Sequence, residues 1–133
     1  MEQQVLRIME QEIDLEQSPV IAEGPRSSEE LERDWEYKNG VWKVEDGWIC
    51  GKHTGNSGGI LYSKKPFPGN VLLEFEGRTV PPCSNDLNFT WRSAGWNEET
   101  DDAGVSYIAG LAGWWEGKTG IEHYPECLCR AAT

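Results

Sequence analysis

The stretch "NDLNFTWR", residues 85–92, alternates polar and apolar side chains from Asp86 to Arg92. Successive residues of an extended chain point to opposite faces, so Leu87, Phe89 and Trp91 fall on one side and Asp86, Asn88, Thr90 and Arg92 on the other. A period of two predicts a half-buried β-strand. The flanking sequence has the same habit. In "VLLEFEGRTV" (71–80), Leu73 and Phe75 oppose Leu72, Glu74, Glu76 and Arg78, which predicts the clearest strand of the chain. "VSYIAGLAGWW" (105–115) predicts a strand with small residues on both faces, "EGKTG" a turn, and "IEHY" (121–124) the start of another strand. Trp114 and Trp115 are neighbours on one strand, so they cannot both face inward.

Towards the N-terminus, "GVWKVEDGWICGKH" (40–53) predicts a hairpin turning at "EDG", and "ILYSK" (60–64) another strand. From Trp35 on, apolar runs are cut by glycine about every eight to twelve residues, the rhythm of an all-β sandwich or barrel. "SSEELERDW" offers Ser27 or Ser28 as an N-cap with acids in the first turn, the expected start of a short helix. Residues 3–16 carry Val5, Ile8, Met9, Ile13 and Leu15 at loosely helical spacing, consistent with an amphipathic helix or an unstructured lead-in. The expected organisation is an acidic N-terminal segment, 1–32, followed by a β-sandwich domain, 33–133.

The 133 residues suffice for one domain with a core and not for two. Ten acids against three bases in residues 1–34 place −7 of the net charge of −11 in that segment. A basic stripe is the footprint of nucleic-acid or anionic-membrane binding, and none is present, so neither partner is expected. The start lacks the basic and apolar regions of a secretion signal, and no apolar run reaches transmembrane length, which points to a cytoplasmic protein. Cys50, Cys83, Cys127 and Cys129 then read as free thiols. A zinc site of the paired CxxC kind lacks its spacing here. Glu98, Glu99, Asp101 and Asp102 read as a flexible acidic loop, since their spacing fits no EF-hand. No metal or other cofactor is expected. The chain contains no GxSxG, HExxH, P-loop or dinucleotide fingerprint.

The candidate binding surface is the polar face of residues 85–92. Asp86, Asn88 and Arg92 would fix the hydroxyls of an oligosaccharide, while Trp96 and Trp114 or Trp115 stack on its C–H faces. Glu74 and Glu76 form a same-face pair, and the two carboxylates of a retaining glycosidase stand roughly 5 to 5.5 Å apart. With Glu116 and His123 they make the candidate acids and bases of a glycoside hydrolase; an exposed acidic strand and a structural histidine are the plainer readings.

The series "DWEYKNGVWKVEDGWICGKH", "GGILYSKKPFPGNVLLEFEGRTV" and "NDLNFTWRSAGWN" resembles the opening half of concanavalin A-like bacterial jelly rolls. The likeness is to the group associated with pectin and rhamnogalacturonan use and to 3-keto-disaccharide hydrolase-like domains. Trp42, Val44, Asp46 and Gly47 match the family's opening, and Asn85 to Arg92 its concave-face strand. The resemblance covers about residues 33–126 and implies a jelly-roll sandwich that handles carbohydrate. Such sandwiches run longer, so the chain reads as C-terminally truncated, or as one completed by a partner or by a homo-oligomer through exposed sheet edges.

Overall fold

A computed structural model describes residues 5–8, 10–54, 59–84, 86–114, 117–125 and 127–130. Strands dominate: β1 (Val5–Ile8), β2 (Gln11–Asp14), β3 (Trp35–Lys38), β4 (Gly40–Glu45), β5 (Trp48–His53), β6 (Ile60–Ser63), β7 (Leu87–Trp91), β8 (Trp96–Asn97), β9 (Asp102–Ala103), β10 (Ser106–Trp114), β11 (Lys118–Tyr124) and β12 (Cys127–Arg130), with one helix, α1 (Ser28–Asp34). The all-β expectation holds at this level. Among the described residues the strands form four two-stranded ladders and one four-stranded antiparallel sheet of order β12-β11-β10-β7.

α1 begins where the serine pair predicted. The Ser27 side chain accepts the Glu30 N–H at 3.3 Å, meeting one of the first turn's exposed donors, and the Glu30 carboxylate accepts the N–H of Arg26, just ahead of the cap, at 2.8 Å. Its other end is closed by a residue far along the chain. Lys64 donates its ammonium to the carbonyls of Glu32 at 2.7 Å and Arg33 at 3.4 Å, and its backbone N–H to Asp34 O at 2.9 Å. Leu31, 2% exposed, is the one large apolar side chain fully buried among the described residues, and α1 packs on β3 and β4. The helix therefore straddles the expected boundary at residue 32 and belongs with the strands that cover it.

The turn of the β4–β5 hairpin has the predicted position. Asp46 (φ 50°) and Gly47 (φ 78°) both adopt left-handed backbone between the paired residues Glu45 and Trp48, the type I′ geometry that suits the twist of a two-residue hairpin.

Three expectations change. Val5–Ile8 and Gln11–Asp14 pair as the antiparallel β1–β2 ladder in place of a helix or lead-in, with Arg7 directly opposite Glu12 and ion-paired to it. An isolated amphipathic turn has nothing to bury its face against, whereas a hairpin closes its own hydrogen bonds. Residues 71–80 form no strand, despite their alternation. A strand exists only where a neighbour takes its N–H and C=O groups, and none is offered here among the described residues. This segment instead lies along β7 through Phe75, whose ring centroid is 5.9 Å from that of Phe89, and along β5 through Arg78, whose guanidinium sits 4.8 Å from the Trp48 ring centroid. The acidic loop after β7, finally, contains the small β8–β9 ladder.

The polar face of the four-stranded sheet is buried at Ser106 and exposed at Asn88. Register puts Asn88, Thr90, Ser106, Ile108, Gly110, Gly120, Glu122 and Tyr124 on one face, and Ser106 there is 1% exposed. The opposite face carries Leu87, Phe89, Trp91, Tyr107, Ala109, Leu111, Ile121 and His123. It is open only in part: Tyr107, Leu111 and Ile121 are 37%, 58% and 45% exposed, while Phe75 packs on Phe89.

Candidate functional site

At the start of β7 the chain departs from regular geometry at several adjacent places. Asp86 sits at φ 68°, held there by its N–H donating to Leu111 O at 3.2 Å. Opposite it, β10 slips register between Gly110 and Trp114, and Ala112 takes φ 53°. A bulge of this kind re-aims side chains locally, and the N–H of Ala112 is caught by Thr119 Oγ1 at 3.3 Å. Left-handed backbone at a residue with a Cβ costs about 1–2 kcal/mol, so the arrangement is held by its surroundings and marks a place to look for function.

Here Asn88 donates from Nδ2 to Asp86 Oδ1 at 2.8 Å. Both side chains lie over Gly113, where a Cβ would stand 2.3 Å from Asp86 Oδ1 and 3.2 Å from Asn88 Oδ1. The absence of a side chain at 113 makes room for the pair. The internal bond fixes both groups. It leaves the second Asn88 N–H, the Asn88 carbonyl oxygen and Asp86 Oδ2, an acceptor, donor and acceptor set on two exposed residues.

The other sequence-expected residues divide. Thr90 shares the face with Asn88 and is half-buried. Arg92 does not join: with φ 50° it leaves the strand at the far end of β7, about 20 Å along at 3.3 Å per residue. Trp96 lies at that same far end, in β8, with its indole Nε1 buried and without a hydrogen-bond partner. Trp114 directly follows Gly113 on the backbone and pairs with Lys118. Trp115 and Glu116 lie outside the described residues.

Glu74 and Glu76 are exposed on the irregular segment, which Phe75 holds against the opposite face of β7 from Asn88. The paired-carboxylate geometry depended on a strand that does not form. His123 stands in a row of rings: Phe89–Trp91 at 5.8 Å and 9°, Trp91–Tyr107 at 5.6 Å and 20°, Tyr107–His123 at 4.7 Å and 41°. Ring faces turned to one another are withdrawn from a sugar, so this row serves packing.

A second polar cluster was missed by sequence reasoning, which reads residues 98–102 as a loop. Tyr124 donates its hydroxyl to Asp102, whose other oxygen accepts the Ala103 N–H at 2.8 Å. The bond to the carboxylate holds the Tyr124 phenol above its usual pKa, and burial does the same for Tyr62, which also feels Asp102. The Tyr62 hydroxyl lies near Ser93 without forming a hydrogen bond of good geometry. Lys38 meets Glu98 at 2.5 Å, a contact that raises the lysine pKa. These contacts tie β3, β6 and the β8–β9 ladder to the end of the large sheet. No periodic pattern links Tyr62, Asp102 and Tyr124 in sequence, so no local signal could have paired them.

Among the described side chains, no three of His, Cys, Asp or Glu cluster so as to hold a metal ion, and no helix is long and apolar enough to cross a membrane. Comparison with protein families, with characterised proteins and with solved structures found no match.

Proposed function

We propose that the chain binds an oligosaccharide at Asp86 and Asn88, on one layer of a concanavalin A-type jelly roll. The carrying observation is the Asp86–Asn88 pair itself, locked by its 2.8 Å bond above the bare Gly113. Two acceptors and a donor on neighbouring exposed groups suit vicinal hydroxyls, each of which both donates and accepts. Being fixed before the ligand arrives, the pair loses little rotamer entropy on binding. The sandwich reading is supported by the large sheet's aromatic face, since an exposed apolar sheet face is what a second layer covers.

The test is calorimetric titration of the chain with plant and bacterial oligosaccharides. Asp86→Ala and Asn88→Ala should each weaken binding by roughly 10- to 100-fold, the worth of about 1.5–3 kcal/mol for hydrogen bonds to a charged group or its bound partner. Arg92→Ala should leave affinity nearly unchanged. Equal affinities for all three variants would reject the site. Hydrolysis of the same sugar would promote the reading to a glycoside hydrolase, with the second carboxylate sought at Glu116.

The exposed Tyr107, Leu111 and Ile121 of β10 and β11 favour a second reading, an interaction module completed by another chain. Light scattering then shows a mass that rises with concentration and falls back to a monomer in Leu111→Asp. A monomer at all concentrations would exclude it.

A further inference from the structure

The geometry points to residues 71–80 as a strap that closes along the free edge of β7 and fills the Asp86–Asn88 site with its own Glu76 and Arg78. β7 ends the four-stranded sheet, and among the described residues only β10 is bonded to it. Its other edge presents backbone groups at strand spacing, ready for a neighbour. Residues 71–80 lie along that strand without a ladder. Two contacts fix their order. Phe75 meets Phe89, with ring centroids 5.9 Å apart, and Gly77 meets Leu87, where a Cβ would stand 2.9 Å from Leu87 Cδ2. Two residues forward on one segment correspond to two residues back on the other, which is the order of an antiparallel hairpin. The connection suits it as well: Cys83 donates its N–H to Val80 O at 3.0 Å, so the chain turns directly after the strap.

Kept in that order, a closed ladder sets Glu74 opposite Thr90, Glu76 opposite Asn88 and Arg78 opposite Asp86. Opposed residues share a face. The apolar side therefore keeps Leu73, Phe75 and Gly77 with Trp91, Phe89 and Leu87, and the charged side chains arrive on the face of the binding pair. Their chemistry complements what that pair leaves unused. In the closed ladder Asp86 Oδ2 accepts from the Arg78 guanidinium, and the second Asn88 N–H donates to the Glu76 carboxylate. Sliding the strap by two residues sets either Glu76 or Val80 against Asp86, a like charge or an apolar group, so charge selects the same register as the two contacts. The structure shows the strap open. Arg78 lies over the Trp48 ring, 4.8 Å from its centroid, and Glu76 and Arg78 are both exposed. Closing keeps Phe75 on Phe89 and exchanges the ring under Arg78 for a carboxylate. A strap that reopens readily leaves its amides close to unprotected. Because the closed strap uses the hydrogen-bonding groups that a sugar needs, it is autoinhibitory; that consequence rests on the oligosaccharide reading, whereas the pairing does not.

The test traps the closed state in the full-length chain, without any ligand. Glu74→Cys combined with Thr90→Cys puts thiols at directly opposed positions outside the Arg78–Asp86 and Glu76–Asn88 pairs. Mild oxidation should cross-link them, and peptide mapping tells this bond from any made by the native cysteines. Leu72→Cys with Thr90→Cys, two residues out of register, should lag well behind. Adding Asp86→Asn to the first pair should slow its cross-linking about threefold to fivefold, the worth of an exposed ion pair. Circular dichroism of each reduced variant checks that the fold persists. Absence of the cross-link in the first pair, equal rates in the two pairs, or a rate indifferent to Asp86→Asn would overturn the strap. Calorimetry then compares the oligosaccharide affinity of the reduced and oxidised first pair. A loss of roughly tenfold or more on oxidation, restored by reductant, is expected, because the competent share of the chain falls; unchanged affinity would overturn the autoinhibition. If no sugar binds even the unmodified chain, the oligosaccharide reading fails by itself and the cross-linking rates still decide the strap.

Discussion

At residue scale, the site rests on a side chain that is missing. Gly113→Ala would set a Cβ 2.3 Å from Asp86 Oδ1, far inside contact distance, so the carboxylate must swing away and release Asn88. Sugar affinity should fall about as far as in Asp86→Ala, with a stability loss of about 1–3 kcal/mol from the overpacked site; titration and urea denaturation measure the two separately. Asp86 and Asn88 were legible in the sequence because alternation alone puts them on one side of "NDLNFTWR". What alternation could not show is that Asp86 and Arg92 both leave the strand through left-handed backbone. A row of four polar residues thereby became a pair. The glycines of "AGLAGWW" were the available hint of the β10 bulge, since glycine inside a strand pattern marks irregularity.

Among the elements, the turn and the cap were readable because each is decided within four or five residues: "EDG" sets the β4–β5 hairpin and "SSEE" starts α1. Residues 71–80 show the limit of local reading. Their alternation from Leu73 to Glu76 is as regular as that of β7, which did form, but pairing is a property of two segments, and alternation describes only one. Hydrogen exchange should expose the difference directly. Amides of residues 71–80 should exchange at near-unprotected rates, while those of β10, bonded on both sides by β7 and β11, should exchange slowest in the chain. Protection of residues 71–80 comparable to β10 would mean that a pairing strand has been overlooked. The uneven covering of the sheet's faces has the same origin: composition tells which face is apolar, and only the rest of the fold decides how much of each is covered.

For the whole molecule, the tyrosine cluster that joins distant elements sets a pH limit. Tyr62 and Tyr124 both have pKa values raised above the ordinary 10.0. A group with a raised folded-state pKa contributes stability that is fully present below the unfolded value and lost as pH rises through the folded one. The chain should therefore hold its urea midpoint up to pH 10 and lose it above, and Tyr124→Phe should make that alkaline loss shallower. A fall in the midpoint that begins well below pH 9, or one identical in the variant, would contradict the cluster's role. The link between α1 and Lys64 reaches further, into the order in which the chain assembles. A seven-residue helix does not persist alone, and the cation that satisfies its last carbonyls arrives only after β6 has been made. The expected outcome is that α1 and β6, joined by contacts some thirty residues apart, appear in a single kinetic phase by pulse-labelled hydrogen exchange; separate phases would contradict it. The same dependence predicts that a neutral side chain at 64, as in Lys64→Gln, would remove the charge and loosen the helix from its C-terminal end.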